Sequence, residues 1–540
     1  MAKEITFDLA AREALLRGAK TLSDAVGSTL GPKGSNVAIA REYGPPIVIH
    51  DGIGVAREII LKDPNEAIGC ELLKEASAKT NDNAGDGTTT AAVLGYAIAA
   101  EAHKNIVAGA SAMRLRIGIE KAVAAMTKEL DDIAIPVKGE AELLQVATIS
   151  AQNEEIGKIV TEGISRMGTD GVLAVEESQT TSTYLEIKEG MDFNRGWLAP
   201  HFVTNPELGE CVLERPYVLV TDIKLSSVAD AQPFLQKFAN AIQEHAVENP
   251  NILVIGEDIT GDALALMIVN KLKGVFNVCA VKAPGFGDKQ KDMLRDIAVV
   301  TGAKYFSTEA GDKLTEEGFD IEDLGRAEKV TATEKNTVII GGEGATEAIA
   351  SRVQELKNAN EKAETDFDHD KLQERIARLT SGIGIVFVGA STEAEMRERK
   401  ERFIDAISAT RAAMAEGIVP GGETALIRAS KALDTLKESG DVQLGIDLVR
   451  RASVQPFKKL MENAGYDSGK MLGELEAVLK KENFGIDVID ASPKNMVKSG
   501  IIDPVKVTKS ALENAASCAV MMLTTSVLVA EEPKKERYEQ

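Results

Sequence analysis

The chain has 540 residues, of which 44% are hydrophobic, so it exceeds what one hydrophobic core normally supports and roughly two to four domains are expected. Acidic residues outnumber basic ones by 84 to 62, and the formal net charge of −22 argues against binding to nucleic acid or to an anionic membrane surface. The four cysteines lie far apart and the five histidines are scattered, which disfavours a zinc site or a disulfide framework and predicts a cytoplasmic protein.

The N-terminal part of the chain predicts two long helices separated by short strands. Residues 8–30 place apolar side chains on one helical stripe, with Asp8 as the expected cap, and the segment Leu30–Gly34 ends this helix. β-rich runs follow at 37–40 and 47–49. From Thr88 to about Ala110 the sequence is apolar nearly all round, as expected of a helix buried inside a large domain. The first ten residues have neither signal-peptide nor transit-peptide character.

The middle of the chain has a different pattern. Strand-like runs at 217–220, 252–255 and 276–281 alternate with helical stretches, which is typical of βαβ units around a sheet. Gly190 precedes this block and Gly382 and Gly384 follow it, so the block is expected to be a separate domain inserted into the rest of the chain.

The C-terminal part predicts long helices. One covers 350–379 with an interruption near 366–370, and another covers 392–416 and begins with the capping-box pair Thr392 and Glu395. The longest uncharged run, 515–530, is shorter than the roughly 20 residues that a membrane span needs. This run is therefore interpreted as a buried helix.

The strongest candidate for a ligand-binding loop is Gly85-Asp86-Gly87-Thr88-Thr89-Thr90, called the phosphate loop below. Its glycines allow close approach of the backbone, and the N-terminus of the following helix offers unpaired N–H groups to an anion. Three hydroxyls add donors, and the carboxylate of Asp86 could bind Mg²⁺. The alternative is a simple turn with a capping threonine, and the loop alone does not exclude it.

Other loops are ambiguous when each is taken alone. His50-Asp51-Gly52 follows a strand-like run, and it is either an active-site carboxylate or a turn. The segments 29–34 and 417–422 also contain glycines, which would let a ligand approach the backbone closely. Asp405 has apolar neighbours in a helix, so its carboxylate is either solvated on the opposite face or held for use, for example to orient a water molecule.

Taken together, these segments resemble the group I chaperonins of the GroEL type. The matching motifs are LGPKG near 30, DGIGVARE near 51, NDNAGDGTTTA near 86, ATIS near 150, VKAPGFGD near 281, KLQERIARL near 371, ATRAAMAEGIVPGG near 409 and GIIDPVKVTKSAL near 500. They occur in the family's order, and the resemblance extends from residue 2 to about 530.

The resemblance implies a multidomain α and α/β chaperonin fold. A mostly helical equatorial domain would comprise 1–133 and 410–540, a small intermediate domain 134–189 and 378–409, and an inserted α/β apical domain 190–377. Hinges between such domains allow them to rotate as rigid bodies.

The resemblance also implies an ATP-hydrolysing chaperonin with Mg²⁺ and K⁺ as cofactors. Asp86 would hold Mg²⁺, and Asp405 and Asp51 would position or activate the attacking water. The implied nucleotide-binding residues are Thr29, Leu30, Gly31, Pro32, His50, Asp86, Gly87, Thr88, Thr89, Thr90, Ser150, Gly422, Asp487, Val488, Ile489 and Lys498.

The implied partners are non-native polypeptides and a GroES-type co-chaperonin, which would share an apolar groove on the apical domain of a homo-oligomer, two stacked seven-subunit rings. The groove residues implied by the resemblance are Trp197, Phe202, Leu235, Leu264, Ile268 and Val269. The chain departs from the family pattern at His50, Glu423 and Lys498. These departures keep open an alternative, a specialised paralogue that binds proteins with little productive ATP cycling.

Overall fold

The computed structural model describes residues 3–40, 46–49, 51–137, 139–167, 171–178, 180–188, 190–206, 208–245, 250–315, 317–361 and 366–531. These residues form two compact units, the first made of 1–162 with 388–540 and the second of 163–387. The three-domain division implied by the family resemblance remains a prediction. Its equatorial segments fall in the first unit and its apical segment falls in the second.

The elements before the inserted sheet are strand β1 (Lys3–Phe7), helix α1 (Asp8–Gly27), strands β2 (Val37–Ile39) and β3 (Ile47–Ile49), helices α2 (Gly52–Glu58), α3 (Pro64–Ala84), α4 (Thr88–Val107), α5 (Ala112–Asp132), α6 (Glu140–Ala151) and α7 (Glu154–Met167), and strands β4 (Val172–Glu177) and β5 (Tyr184–Lys188).

The elements of the inserted sheet and the segment after it are β6 (Gly190–Phe193), β7 (Cys211–Glu214), β8 (Tyr217–Thr221), α8 (Val228–His245), β9 (Asn251–Gly256), α9 (Gly261–Leu272), β10 (Asn277–Lys282), α10 (Asp288–Thr301), β11 (Tyr305–Phe306), β12 (Gly325–Ala332), β13 (Thr337–Gly342), α11 (Thr346–Asn360), α12 (Asp366–Ser381) and β14 (Ile383–Val388), with short 3₁₀ helices at Pro200–Phe202 and Ile321–Asp323.

The C-terminal elements are α13 (Glu393–Glu416), β15 (Ile418–Pro420), α14 (Thr424–Ala429), a 3₁₀ helix (Ser430–Thr435), α15 (Asp441–Ala452), α16 (Gln455–Asn463), α17 (Ser468–Val478), β16 (Phe484–Asp487), β17 (Ser492–Asn495), β18 (Ile502–Pro504), α18 (Val505–Thr524) and β19 (Val527–Glu531).

The first unit is a helical bundle whose core is built from the predicted apolar stripes. Helix α18 packs against α3, α4 and α5, and α1 packs against α3 and α4. The predicted stripe of α1 is buried, with Leu15, Leu22 and Val26 fully inaccessible to solvent. Burying these side chains provides the main driving force for the packing of the bundle.

Two sequence predictions in the first unit were wrong at chain ends. Asp8 does not cap α1: Phe7 occupies the cap position, and Asp8 is the first helical residue. The run 515–530 is not one helix, because α18 ends at Thr524 and residues 527–531 form β19, which pairs antiparallel with β1. Both differences arise because the two ends of the chain form a small sheet with each other, which fixes the backbone next to each helix.

The second unit contains the predicted βαβ block. Strands β8, β9 and β10 are parallel neighbours with α8 and α9 as their connections, and β11 adds to β8 after α10. Antiparallel strands β12, β13 and β6 extend the sheet, and β7 pairs with β12. The predicted helix over 350–379 is divided into α11 and α12, as the interruption in its pattern indicated.

A buried carboxylate joins three helices of the second unit. Asp296 of α10, which is completely buried, accepts hydrogen bonds from Arg352 Nε of α11 at 2.8 Å and from Arg375 Nε of α12 at 2.7 Å. Arg375 lies in the KLQERIARL segment. Both guanidinium groups are mostly shielded from solvent, and Asp296 is the fully buried carboxylate that they share. Arg375 also bonds Asp292 at 3.1 Å and Arg352 bonds Glu355 at 2.9 Å, so Asp296 supplies a large part, but not all, of their charge compensation.

Replacing Asp296 by alanine is expected to destabilise the second unit by about 3 kcal/mol, because two shielded cations lose their common partner. Urea unfolding of the full chain measures this change. The matched control is Glu355→Ala, which removes an exposed carboxylate 2.9 Å from Arg352 Nη1 and is expected to cost less than about 1 kcal/mol. Equal effects of the two substitutions would contradict a structural role for the buried site.

Candidate nucleotide site

The phosphate loop connects the C-terminus of α3 to the N-terminus of α4. Gly85 ends α3 in the left-handed conformation with φ of +70°, and Gly87 precedes α4 with φ of +82°. Asp86 lies between them, and its Oδ1 accepts the N–H of Gly87 at 2.5 Å. The first turn of α4 carries Thr88, Thr89 and Thr90, and no side chain caps this turn. Its unpaired N–H groups and hydroxyls are the donors that a phosphate group binds.

Asp51 begins α2 and lies against the same turn. Its side chain accepts the N–H groups of Ile53 at 3.2 Å and Gly54 at 2.6 Å, so Asp51 is the N-cap of this helix. A Cβ atom added to Gly52 would lie 2.2 Å from the Thr89 hydroxyl oxygen. The close approach of α2 to α4 thus requires glycine at this position, and it places Asp51 next to the phosphate loop.

Asp405 comes from a distant part of the chain, near the middle of α13. Its neighbours Phe403 and Ala406 are buried, whereas Ile404 is exposed. Helix α13 approaches the phosphate loop closely, because a Cβ atom added to Gly85 would lie 2.0 Å from Ser408 Cβ. The carboxyl group of Asp405 therefore faces inward, toward Asp86 and Asp51, and not the solvated side of the helix. Its use in orienting a water molecule remains a prediction.

Asp51, Asp86 and Asp405, called the carboxylate cluster, repel one another. Burial raises the pKa of Asp405 well above its usual value, and repulsion from Asp86, Asp51 and Glu401 adds to this effect. Burial also raises the pKa of Asp86, with the N–H of Gly87 opposing and Asp51 reinforcing the shift. The three described charges that act on Asp405 are all negative, so the cluster is electrostatically complementary to a cation.

The carboxylate cluster fits Mg²⁺ held together with a phosphate ligand. Within the described residues no group of three or more His, Cys, Asp or Glu side chains forms a ready metal cage. Mg²⁺ in phosphate-transferring sites is held by one or two carboxylates and by substrate oxygens, and it does not need such a cage. Asp86, between two glycines at the start of α4, is placed for this role.

The structure adds two carboxyl groups that the sequence analysis did not assign to the site. Asp503 of β18 has a pKa raised to about 7 by burial and by repulsion from Asp86. Its Oδ1 lies 3.0 Å from the position of a Cβ atom added to Gly421. Glu423 was noted in the sequence only as a departure from the family pattern, and its Oε1 accepts a hydrogen bond from the Thr90 hydroxyl. The apolar neighbours of Asp503 in the GIIDPVKV segment were the one sequence signal for it.

Residues from the C-terminal part of the chain form a second surface of the candidate site, called the wall below, beside Gly422. A Cβ atom added to Gly422 would lie 3.1 Å from Met496 Cε and 3.8 Å from the carbonyl oxygen of Ile486, so the β16–β17 hairpin packs on this glycine. Asp487 stabilises the hairpin itself: it accepts the N–H of Ile489 at 2.8 Å and a bond from Lys494 Nζ at 2.6 Å.

The loop after α1 joins the same wall. Lys33 Nζ donates to the carbonyl oxygen of Ile489 at 3.0 Å. Asn463 donates to the carbonyl oxygen of Leu30 at 3.0 Å, and the Thr29 hydroxyl bonds back to Val26. These bonds fix the backbone of residues 29–32 near Ile489 and Val488 and leave Gly31 and Pro32 in the turn between them.

For three of the predicted nucleotide-binding residues, the structure describes no side-chain hydrogen bond to the phosphate loop or the wall. Lys498 is exposed, and only its backbone N–H has a described bond, to Asn495. The buried hydroxyl oxygen of Ser150 on α6 has no hydrogen-bond partner among the described residues. His50 lies outside the described residues. The roles of these residues remain predictions.

The predicted groove residues lie in the second unit and differ in exposure. Phe202 and Leu235 are buried and belong to the hydrophobic core of this unit. Trp197, Leu264 and Ile268 are partly buried, and Val269 is exposed. On the same helix Leu272 is 69% exposed, and the sequence analysis did not assign this residue to the groove.

The sequence matches the model of the TCP-1/cpn60 chaperonin family over residues 22–533, so this chain belongs to that family. The chain is also similar to a solved structure, the chaperonin gp146 from the bacteriophage EL 2 (Pseudomonas aeruginosa), determined in the presence of ATP-BeFx. The two share 22% identity, with a TM-score of 0.71 over 98% of this chain and 99% of that one.

These comparisons confirm the predicted family resemblance and the predicted chaperonin fold. Membership of the family assigns a chaperonin function to the chain. Across the described part of the chain, no helix is both long enough and apolar enough to cross a membrane.

Proposed function

We propose that this chain is a group I-type chaperonin that uses Mg²⁺-dependent ATP hydrolysis to drive domain rotation and to promote the folding of non-native proteins. The observation that carries this proposal is the convergence of Asp51, Asp86 and Asp405, from three separate stretches of chain, at the N-terminus of α4. A solved structure of a similar fold was determined with ATP-BeFx, which supports nucleotide binding.

In the proposed site the first turn of α4 binds the phosphates through its N–H groups and the hydroxyls of Thr88 and Thr89. Bound Mg²⁺ supplies positive charge that offsets the phosphates and the carboxylate cluster. Asp86 would hold the metal ion. Asp405 and Asp51 would orient the attacking water, and Asp405 would accept its proton.

The wall formed by Gly422, the β16–β17 hairpin and residues 29–32 is proposed to receive the base and ribose of the nucleotide. Gly422 permits close approach there, and the exposed side chain of Ile489 supplies apolar surface, while the side chain of Val488 is buried in a hydrophobic core. K⁺ is proposed as a further cofactor by resemblance to the family.

A second candidate function is a paralogue that binds proteins with little ATP turnover. The observations in its favour are the exposed Lys498 and the additional buried carboxyl group of Glu423. Phosphate release by the purified full chain with ATP, Mg²⁺ and K⁺ separates the two functions. Steady turnover that stops when Mg²⁺ is chelated supports the ATPase, and nucleotide binding without turnover supports the paralogue.

Non-native polypeptides and a GroES-type co-chaperonin are the proposed partners of the exposed apolar surface of α9. Val269 and Leu272 are both exposed on this helix, and Val275 follows just after it. Exposed apolar side chains grouped on one helix are typical of a surface that binds protein segments.

Replacing Val269 and Leu272 together by serine is expected to weaken capture of a chemically unfolded polypeptide by about tenfold or more, because two apolar contacts are lost. Phosphate release should remain at the wild-type level, since both residues are in the second unit. The matched control is Lys273→Ser, a polar exposed neighbour, which should leave capture unchanged. Unchanged capture by the double variant, measured by light scattering of the aggregating polypeptide, would contradict the proposal.

A homo-oligomer of two stacked seven-subunit rings in the cytoplasm is proposed from the resemblance to the group I chaperonins. The β1–β19 pair has an apolar face on which Phe7 lies opposite Val527 and Ile5 opposite Val529, and all four side chains are exposed. An exposed patch of this kind is suited to burial against another subunit. The four cysteines are free and buried, which suits a reducing compartment.

A further inference from the structure

Glu423 has a backbone conformation that normally favours glycine. Its φ is +59° and its ψ is +12°, in the left-handed region, at the position that precedes α14. A residue with a side chain is strained in this conformation, whereas glycine is not. Gly422 directly before it also has positive φ. Glycine at position 423 would relieve this backbone strain, yet the chain has glutamate there. This indicates that the Glu423 side chain has a function.

The side chain of Glu423 reaches the phosphate loop. Its Oε1 lies 2.5 Å from Oγ1 of Thr90, 333 positions away in the chain. Thr90 is in the first turn of α4, next to the two threonines that approach Gly52. One hydrogen bond thus joins the loop before α14 to the proposed phosphate-binding turn.

The surroundings of Glu423 favour its neutral form. The groups facing it are the Thr90 hydroxyl from α4, Asp503 from β18 and Asp86 from the phosphate loop. Burial, followed by repulsion from Asp503 and Asp86, raises its pKa to about 8, although the bond from Thr90 opposes the shift. A protonated carboxyl group can donate to Thr90 Oγ1. The hydrogen of the Thr90 hydroxyl is then free for another acceptor.

We propose that Glu423 is a positioning residue for nucleotide phosphate, which holds the hydroxyl of Thr90 so that it can donate to a phosphate oxygen. This inference rests on the proposed function, since it assumes that phosphate binds at α4. Glu423 itself does not touch the phosphate; it acts through Thr90. The departure from the family's glycine run is then a functional feature of this chain rather than a defect of its nucleotide site.

The test is binding of AMP-PNP with Mg²⁺ to the purified full chain, measured by calorimetry for wild type, Glu423→Gly, Glu423→Gln and Thr90→Val. Removing a hydrogen bond that supports a charged ligand is expected to weaken binding by about tenfold in Glu423→Gly and in Thr90→Val. The double variant Glu423→Gly with Thr90→Val should bind AMP-PNP no more weakly than either single variant, because the two residues act as a unit. Glu423→Gln should stay within about twofold of wild type, since its amide can donate to Thr90.

The melting temperature separates positioning from a structural role. Glycine relieves the strain at position 423, so Glu423→Gly should melt at the wild-type temperature or above it while binding more weakly. A lower melting temperature with unchanged affinity would overturn the inference alone. Wild-type protein that does not bind AMP-PNP would overturn both this inference and the proposed function.

Discussion

Replacing Asp405 by asparagine is expected to slow ATP turnover by about a hundredfold or more, while nucleotide binding stays within a few-fold of wild type. Asparagine fills the same space but cannot accept a proton from water. In the structure Asp405 faces Asp51 and Asp86 and is strongly disfavoured as an anion there. A cation brought in with ATP would restore its charge, and so the group is available as a base only when the site is loaded.

Phosphate release under single-turnover conditions measures the chemical step, and AMP-PNP titration measures binding. The matched control is Glu398→Gln on the same helix, a carboxylate that pairs with Arg402 and is 55% exposed in its side chain. This control should hydrolyse ATP at the wild-type rate. Wild-type turnover by Asp405→Asn would remove Asp405 from the mechanism. Loss of binding together with turnover would indicate damage to the site rather than to the chemistry.

Replacing Gly85 by alanine is expected to reduce turnover by about a hundredfold although it leaves every carboxylate in place. The added methyl group would lie 2.0 Å from Ser408 Cβ, so α13 must move away from the phosphate loop. A displacement of about 1 Å is enough for a loss of this size when reacting groups depend on exact placement. The left-handed φ of Gly85 adds a smaller cost to stability.

The double variant Gly85→Ala with Ser408→Gly tests this explanation. Without the serine side chain, the nearest atom of residue 408 to the new methyl group is Cα, at 3.3 Å. Turnover should recover at least tenfold relative to Gly85→Ala, and the remaining deficit should reflect backbone strain. Ser408→Gly alone is the control for loss of the hydroxyl. No recovery in the double variant would show that the contact with α13 is not what positions Asp405.

The elements that could be predicted from sequence are those fixed by local pattern. Helix α4 was predicted because its residues are apolar nearly all round, and α13 because Thr392 marks its start. In the structure Thr392 Oγ1 accepts the N–H of Glu395 at 3.2 Å, while the Glu395 carboxylate bonds to the N–H of Ser391 instead of closing the box on Thr392. The βαβ block was likewise visible as alternating strands and helices.

The differences come from contacts between distant parts of the chain. Residues 527–531 have an apolar sequence that continues the α18 pattern, and only their pairing with β1 makes them a strand. The inward orientation of Asp405 depends on which side of α13 meets Gly85, which no local pattern specifies. The bond between Thr90 and Glu423 joins two loops that are far apart in sequence, so the sequence marked Glu423 only as a departure from the family.

The most direct test of the account is a cryo-electron microscopy structure of the full chain with ADP, beryllium fluoride and Mg²⁺. We expect a metal ion about 2.0–2.1 Å from an Asp86 oxygen, with the fluoride group at the first turn of α4. Asp51 and Asp405 should both lie within hydrogen-bond reach of the water that faces the beryllium atom. A nucleotide bound elsewhere, or a metal ion without contact to Asp86, would contradict the proposal that these three carboxylates form one ATPase site.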